Sequence, residues 1–225
     1  MTSRRSVEAV VFDLGGVLID WNPRFLYSKL FHGDDARMER FLATVCTQSW
    51  NELHDRGKSF SENIAELCNR HPEHGDMIRA YGARWPEMLN GPIQGTVELL
   101  AQLAQRDRGL FALTNWSAET FPIAQARYDF LKWFDGIIVS GQEGVAKPDA
   151  EIFRILLDRF GLTAATTLFI DDTTVNIKGA RMLGFQALHF LSPEALHPEL
   201  AARGLLERAE TQWSRRLRGP AEQPA

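Results

Sequence analysis

Apolar residues change their spacing twice along this chain. Residues 8–13, centred on Ala9-Val10-Val11-Phe12, form a short continuous apolar run instead of an alternating one. That pattern predicts a strand buried on both faces. From Asn22 to about Leu89 the spacing becomes helical: Phe25, Leu26, Leu30 and Phe31, then Met38, Phe41, Leu42 and Val45, then Ile64, Leu67 and Cys68. Ser59 or Ser61 is placed to cap the third of these helices, with Glu62 three residues after Ser59 as in a capping box. No strand is expected in this block.

Pro92 and Gly95 punctuate the return to a mixed pattern. A helix over 96–105 precedes a strand over 110–113. Helix 118–128, strand 136–139, helix 150–160, strand 167–170, helix 175–183 and strand 186–190 follow, then a helical segment over 194–216. Alternation of this kind predicts an α/β fold with a parallel sheet covered by helices on both faces. The expected organisation is a core of residues 1–20 and 90–218, a small helical insert of 21–89, and a disordered tail of 219–225.

Composition narrows the picture. The 225 residues are 44% hydrophobic, enough for a sizeable core. A net charge of −4 leaves no basic footprint for nucleic acid. No apolar stretch has the length of a membrane span, and no apolar signal core precedes the first strand. Cys46 and Cys68 share no metal-ligand spacing and suit reduced thiols of a cytoplasmic protein. His71, His74, His189 and His197 show no common metal spacing either.

Polar groups with chemical capacity stand just past the predicted strands. Asp13 follows Val10-Val11-Phe12 and precedes Leu14-Gly15-Gly16. In open α/β sheets this carboxyl edge is where ligands bind. A carboxylate there can attack phosphorus or an activated carbon and hold the group covalently until water removes it; alone, it is more often a turn or cap residue. Thr114-Asn115, after Leu110-Phe111-Ala112-Leu113, offer a hydroxyl, an amide and backbone N–H groups as a phosphate cradle. Lys147, between Val145-Ala146 and Pro148, can neutralise charge gathered near Asp13. Asp171 and Asp172, after Leu168-Phe169-Ile170, repel one another unless a cation intervenes. Hard oxygen donors of this kind suit Mg²⁺. Trp21, Trp50, Trp85 and Trp116 crowd the junction of insert and core, and Trp116 is placed to line a substrate pocket. His54, Arg56 and Lys58 lie in a polar stretch, 51–61, able to face the site.

Taken in order, these pieces resemble the haloacid dehalogenase superfamily of hydrolases. The residues that carry the resemblance are Phe12-Asp13-Leu14-Gly15-Gly16-Val17-Leu18, Leu113-Thr114-Asn115, Ala146-Lys147-Pro148-Asp149, and Ile170-Asp171-Asp172 with Asn176. The resemblance covers nearly the whole chain. It implies a Rossmann-like core, a helical cap in place of the insert, and Asp13 as the residue that forms an aspartyl intermediate. It also implies Mg²⁺ held by Asp13, the Gly15 carbonyl and Asp172, with Asp171 bound directly or through water. Thr114 and Lys147 would then grip the transferred phosphoryl group.

One position departs from the family's phosphatases, which usually carry a second aspartate two residues after the nucleophile as general acid and base. Here Gly15 stands there. Loss of acid catalysis removes roughly 10²–10⁴-fold, most for poor leaving groups. Some family phosphatases, including ones acting on sugar phosphates, share the Asp-Leu-Gly pattern, and Asp20 is the nearest carboxylate able to substitute. The family's dehalogenases also lack that aspartate, but need no metal, usually carry a tyrosine at this position, and grip a substrate carboxylate with a cap arginine. The paired acids favour the phosphatase: a Mg²⁺-dependent phosphomonoesterase acting on a small phosphorylated metabolite such as a sugar phosphate. A metal-independent 2-haloacid dehalogenase and a catalytically impaired binding protein are the alternatives.

Overall fold

The computed structural model describes residues 6–207. Five strands form one parallel sheet: β1 (Ala9–Phe12), β4 (Gly109–Thr114), β5 (Gly136–Val139), β6 (Thr167–Asp171) and β7 (Gln186–His189), in the order β5-β4-β1-β6-β7. Every residue of β1 and β6 is buried. Because strand side chains alternate, Val10 and Phe12 point into one core layer, and Ala9 and Val11 into the other. Helices α9 (Ala150–Phe160) and α10 (Thr174–Met182) close the second layer through Ile152, Phe153, Leu156 and Ile177. On the first face, α6 (Gln94–Leu103) packs beside α11 (Pro193–Ala201). The predicted α/β fold is what forms.

Between β1 and β4 the chain builds five helices: α1 (Arg24–Leu30), α2 (Asp35–Thr44), α3 (Gln48–Asp55), α4 (Phe60–Arg70) and α5 (Gly75–Ala83). Ser59, not Ser61, caps α4 by accepting the Glu62 N–H at 3.2 Å. Two of the helices, α3 and α5, are unexpected from apolar spacing. Thr47 caps α3 by accepting the Trp50 N–H at 3.1 Å, so much of the polar stretch from Asn51 is helix. The insert also has strands at its ends, against expectation. β2 (Ile19–Trp21) and β3 (Leu89–Pro92) pair antiparallel as a separate two-stranded ribbon. Three and four residues, with Gly91 and Pro92 among them, carry no periodicity, and their pairing spans the whole insert.

The expected helix over 118–128 forms only as α7 (Phe121–Arg127), after a turn over 117–120. A single turn, α8 (Ser140–Glu143), follows β5. The expected 194–216 helix forms as α11, and the region past residue 207, including the 219–225 tail, lies outside the described residues. No helix among the described residues is long and apolar enough to cross a membrane.

Candidate functional site

The C-terminal ends of β1, β4 and β6 lie side by side, because β1 pairs with both neighbours in parallel register. Asp13, Thr114, Asp171 and Asp172 therefore meet at one edge. Lys147 arrives on the loop between α8 and α9, and its Nζ lies 2.8 Å from Asp13 Oδ2 and 2.7 Å from Asp171 Oδ2. Lysine and both acids are buried. Asp13 Oδ1 accepts the Leu14 N–H at 2.7 Å. Asp171 also accepts from the Thr173 N–H at 2.7 Å and from Asn176 Nδ2 at 3.1 Å.

One lysine between two acids drives their ionisation apart. Burial pushes the Asp13 carboxyl well above its usual range, and the pull of Lys147 does not offset it. Burial works on Asp171 in the same direction, but Lys147 and the Thr173 N–H outweigh it and hold Asp171 below its ordinary value. Burial favours the neutral form of Lys147, yet Asp13 and Asp171 overcome this and raise its pKa. Asp172 is pushed up by burial and by the neighbouring Asp171.

One oxygen each of Asp13, Asp171 and Asp172 lies within 4.8 Å of the others. Gly16 makes room for this cluster, since a Cβ there would stand 2.2 Å from Asp172 Oδ2. Three hard carboxylates facing one ammonium leave excess negative charge that a divalent cation balances, and the donor set fits Mg²⁺. One oxygen each of Asp13, Asp171 and Asp172 is placed to hold it, and Gly15 lines the cavity beside them.

Asn115 is differently employed from the expected phosphate ligand. Its Nδ2 donates to the Lys147 carbonyl at 2.9 Å, and its Oδ1 accepts the Lys147 N–H at 2.8 Å. This two-bond bracket fixes the lysine loop. Thr114 is buried at the strand end, with its Oγ1 unpartnered among the described residues. A buried hydroxyl without a partner is costly, but Thr114 is not among the residues that line the cavity over Asp13.

A cavity of about 410 Å³ opens over these residues, lined by Asp13, Gly15, Lys147 and Asp172 on the core side. Trp21, Trp85 and Trp116 form an aromatic wall, the last two with ring centroids 5.6 Å apart. The Trp116 indole donates to Thr120 Oγ1 at 3.1 Å. Trp50 instead packs inside the insert against Tyr81 and His54. His54 is buried in the same cluster, stacked on Phe60, and Lys58 pairs with Glu66 at 2.6 Å; neither lines the cavity. Arg56 does line it, and its guanidinium is tied to Asp149 at 2.7 Å. Asp20 accepts from Asn90 Nδ2 at 2.8 Å on the ribbon and is not part of the cavity wall.

Within the polar stretch 51–61, expected to face the site, sequence reasoning singled out His54, Arg56 and Lys58 and missed the individual α3 residues that do so. Gln48, Asn51, Glu52 and Asp55 all line the cavity opposite Asp13 and Lys147. Their helical spacing, set against buried Trp50 and His54 on the other face, was the available signal.

Residues 7–184 match the haloacid dehalogenase-like hydrolases. The sesquiterpene phosphatase astK of Aspergillus oryzae is 30% identical over 196 residues, covering 86% of this chain and 94% of its own. The (S)-2-haloacid dehalogenase of Xanthobacter autotrophicus is 27% identical over 129 residues, 56% of this chain and 48% of its own. A HAD family enzyme from Bacteroides thetaiotaomicron, solved with magnesium and inorganic phosphate, shares the fold at a TM-score of 0.62 with 21% identity, covering 83% of this chain and 96% of its own. Motif order, the parallel sheet and the family match agree: the chain belongs to the haloacid dehalogenase-like hydrolases.

Proposed function

We propose that this chain is a cytoplasmic, Mg²⁺-dependent phosphomonoesterase acting on a small phosphorylated metabolite through an aspartyl-phosphate on Asp13. The observation that carries this reading is the contact of Lys147 with Asp13 and Asp171 beside Asp172. A dehalogenase that works without metal has no use for so much uncompensated acid. Similarity to a phosphatase across most of the chain supports the same choice. So does the magnesium and phosphate complex of a structural relative.

Asp13, kept in place by the Leu14 N–H and Lys147, attacks phosphorus in line with the ester oxygen. Lys147 donates to the phosphoryl oxygens as charge gathers there. Asn115 acts through the lysine loop that it brackets. Asp13, Asp172, Asp171 and the Gly15 carbonyl would hold Mg²⁺, which when bound would neutralise charge on the phosphate. The helical insert of 21–89 serves as a cap over the core of 1–20 and 90–218, with the aromatic wall and the polar face of α3 receiving the organic part of the substrate.

The test is phosphate release from a panel of sugar phosphates, nucleotides and sesquiterpenyl phosphates, with Mg²⁺ and with EDTA, for the wild type and Asp13→Asn. Release is expected only with Mg²⁺ and only in the wild type. Halide release from 2-haloacids in EDTA would establish the dehalogenase instead. Ligand binding without turnover of any ester would leave a binding protein.

A further inference from the structure

With Gly15 in place of the usual acid, a phosphoester oxygen leaving the site needs a proton from elsewhere. Among carboxylates lining the cavity, Asp13 and Asp172 are already engaged by the chemistry above, and Glu52 is exposed to solvent. That leaves Asp55, at the last turn of α3, which is 9% exposed. Its single side-chain hydrogen bond among the described residues comes from Asn51 Nδ2, at 3.2 Å to Oδ2. Tyr81 Oη donates to Asn51 Oδ1 at 2.7 Å, which orients the Asn51 amide with its Nδ2 toward Asp55. The relay from Tyr81 through Asn51 thus holds one oxygen of Asp55, a residue of the cavity lining.

Resting on the phosphatase reading, we propose that Asp55 is the general acid and base of this enzyme, supplied by the insert in place of the carboxylate missing at position 15. In the first step an Asp13 oxygen bonds to phosphorus, the P–O bond to the leaving group breaks, and the Asp55 proton goes to the departing oxygen. In the second, the Asp55 carboxylate takes a proton from water as that water attacks phosphorus. The bond between phosphorus and Asp13 then breaks, releasing inorganic phosphate and restoring protonated Asp55.

The surroundings favour this role. Burial raises the Asp55 carboxyl to about 7, helped by Glu52 on its own helix and opposed by Lys147 of the core and by Arg56. Tyr81, on α5, senses the same carboxylate. The carbonyl end of α3 also disfavours negative charge on Asp55. An acid poised near neutrality is matched to proton transfer in both directions.

The assignment predicts a dependence on leaving group. Asp55→Asn keeps an oxygen to accept from Asn51 and should fold. Against p-nitrophenyl phosphate, whose leaving group departs without a proton, the loss in kcat/KM should be the smaller of the two. Against phenyl phosphate, which releases a phenol about as basic as tyrosine (~10), kcat/KM should fall by roughly 10²–10⁴-fold. The decline of wild-type kcat/KM above about pH 7 for phenyl phosphate should be absent in the variant. Gly15 has open space, with nothing within 4 Å of an added Cβ, so adding Gly15→Asp to Asp55→Asn should restore phenyl phosphate turnover.

Equal effects on both esters, or a wild-type pH profile retained by Asp55→Asn, would overturn the assignment while leaving the phosphatase intact. So would a leaving-group effect in Glu52→Gln instead of Asp55→Asn. A wild type that releases no phosphate from either ester in Mg²⁺ would remove both readings together.

Discussion

At Gly16 the backbone has a φ of +71°, and an added Cβ would collide with the Asp172 carboxylate. Its neighbour Gly15 meets neither obstacle. The two adjacent glycines therefore have different physical roles, and alanine separates them. Gly16→Ala should lose about 1–2 kcal/mol from the left-handed backbone alone and should weaken Mg²⁺ binding by displacing Asp172. Gly15→Ala should stay near wild type in both properties. Thermal melts and a calorimetric Mg²⁺ titration would check this, and equal behaviour of the two variants would refute it. Asp13, Lys147, Asp171 and Asp172 could be picked out in the sequence because each stands near an apolar run, where strand ends are easy to locate. Asp55 could not. Helical spacing marks a polar face of α3, but what that face meets depends on where α3 comes to rest above residues about ninety positions away.

Helix α3 presents two titratable groups one position apart to opposite environments. Asp55 faces the cavity, whereas His54 is buried against Trp50 and Phe60. Nε2 of His54 lies 3.1 Å from Asn63 Nδ2, which makes it the acceptor, and Nδ1 lies 3.3 Å from the Lys58 carbonyl, which makes it the donor. Burial lowers its pKa to about 4, with the Lys58 carbonyl and Glu119 pulling the other way. The unfolded chain then binds more protons than the folded one between about pH 6.5 and 4. Stability contributed by neutral His54 is full above 6.5 and lost as pH falls through that window, by ~3 kcal/mol. Asp55 has the opposite sign over nearly the same range, because its folded pKa is raised. Denaturant melts from pH 4 to 7 should show His54→Gln losing less stability on acidification than the wild type. Asp55→Asn should lose more. Parallel curves for all three would sink the argument. The elements that escaped detection share a cause: α3 and α5 bury aromatic and polar groups without a clean apolar stripe, and β2 and β3 are too short to show alternation.

Across the whole molecule, the sheet and its covering helices were legible because each strand is a buried apolar run between helices of regular period. What joins insert to core is not of that kind. It includes single contacts between distant segments: Arg56 with Asp149, the Phe60 N–H with Glu119 at 2.9 Å, and Gly57, where an added Cβ would approach the Gly141 carbonyl at 3.1 Å. The exposed ion pair is worth little by itself, so closure over the cavity relies on the continuous apolar layer that includes Tyr27, Trp85, Met88 and Trp116. Beneath that layer, two acids share one lysine with Asp172 beside them, a charge imbalance that a bound cation would relieve. Saturating Mg²⁺ at about 100 times its Kd should therefore stabilise the protein by ~2.7 kcal/mol. For a chain of this size that corresponds to a rise in Tm of roughly 5–10 °C. EDTA should reverse the rise, and Asp172→Asn should abolish most of it while raising the metal-free Tm, because one of the repelling carboxylates is gone. Differential scanning calorimetry would decide: a wild-type Tm indifferent to Mg²⁺ would mean that Lys147 alone satisfies the cluster, and the metal-dependent reading would fall with it.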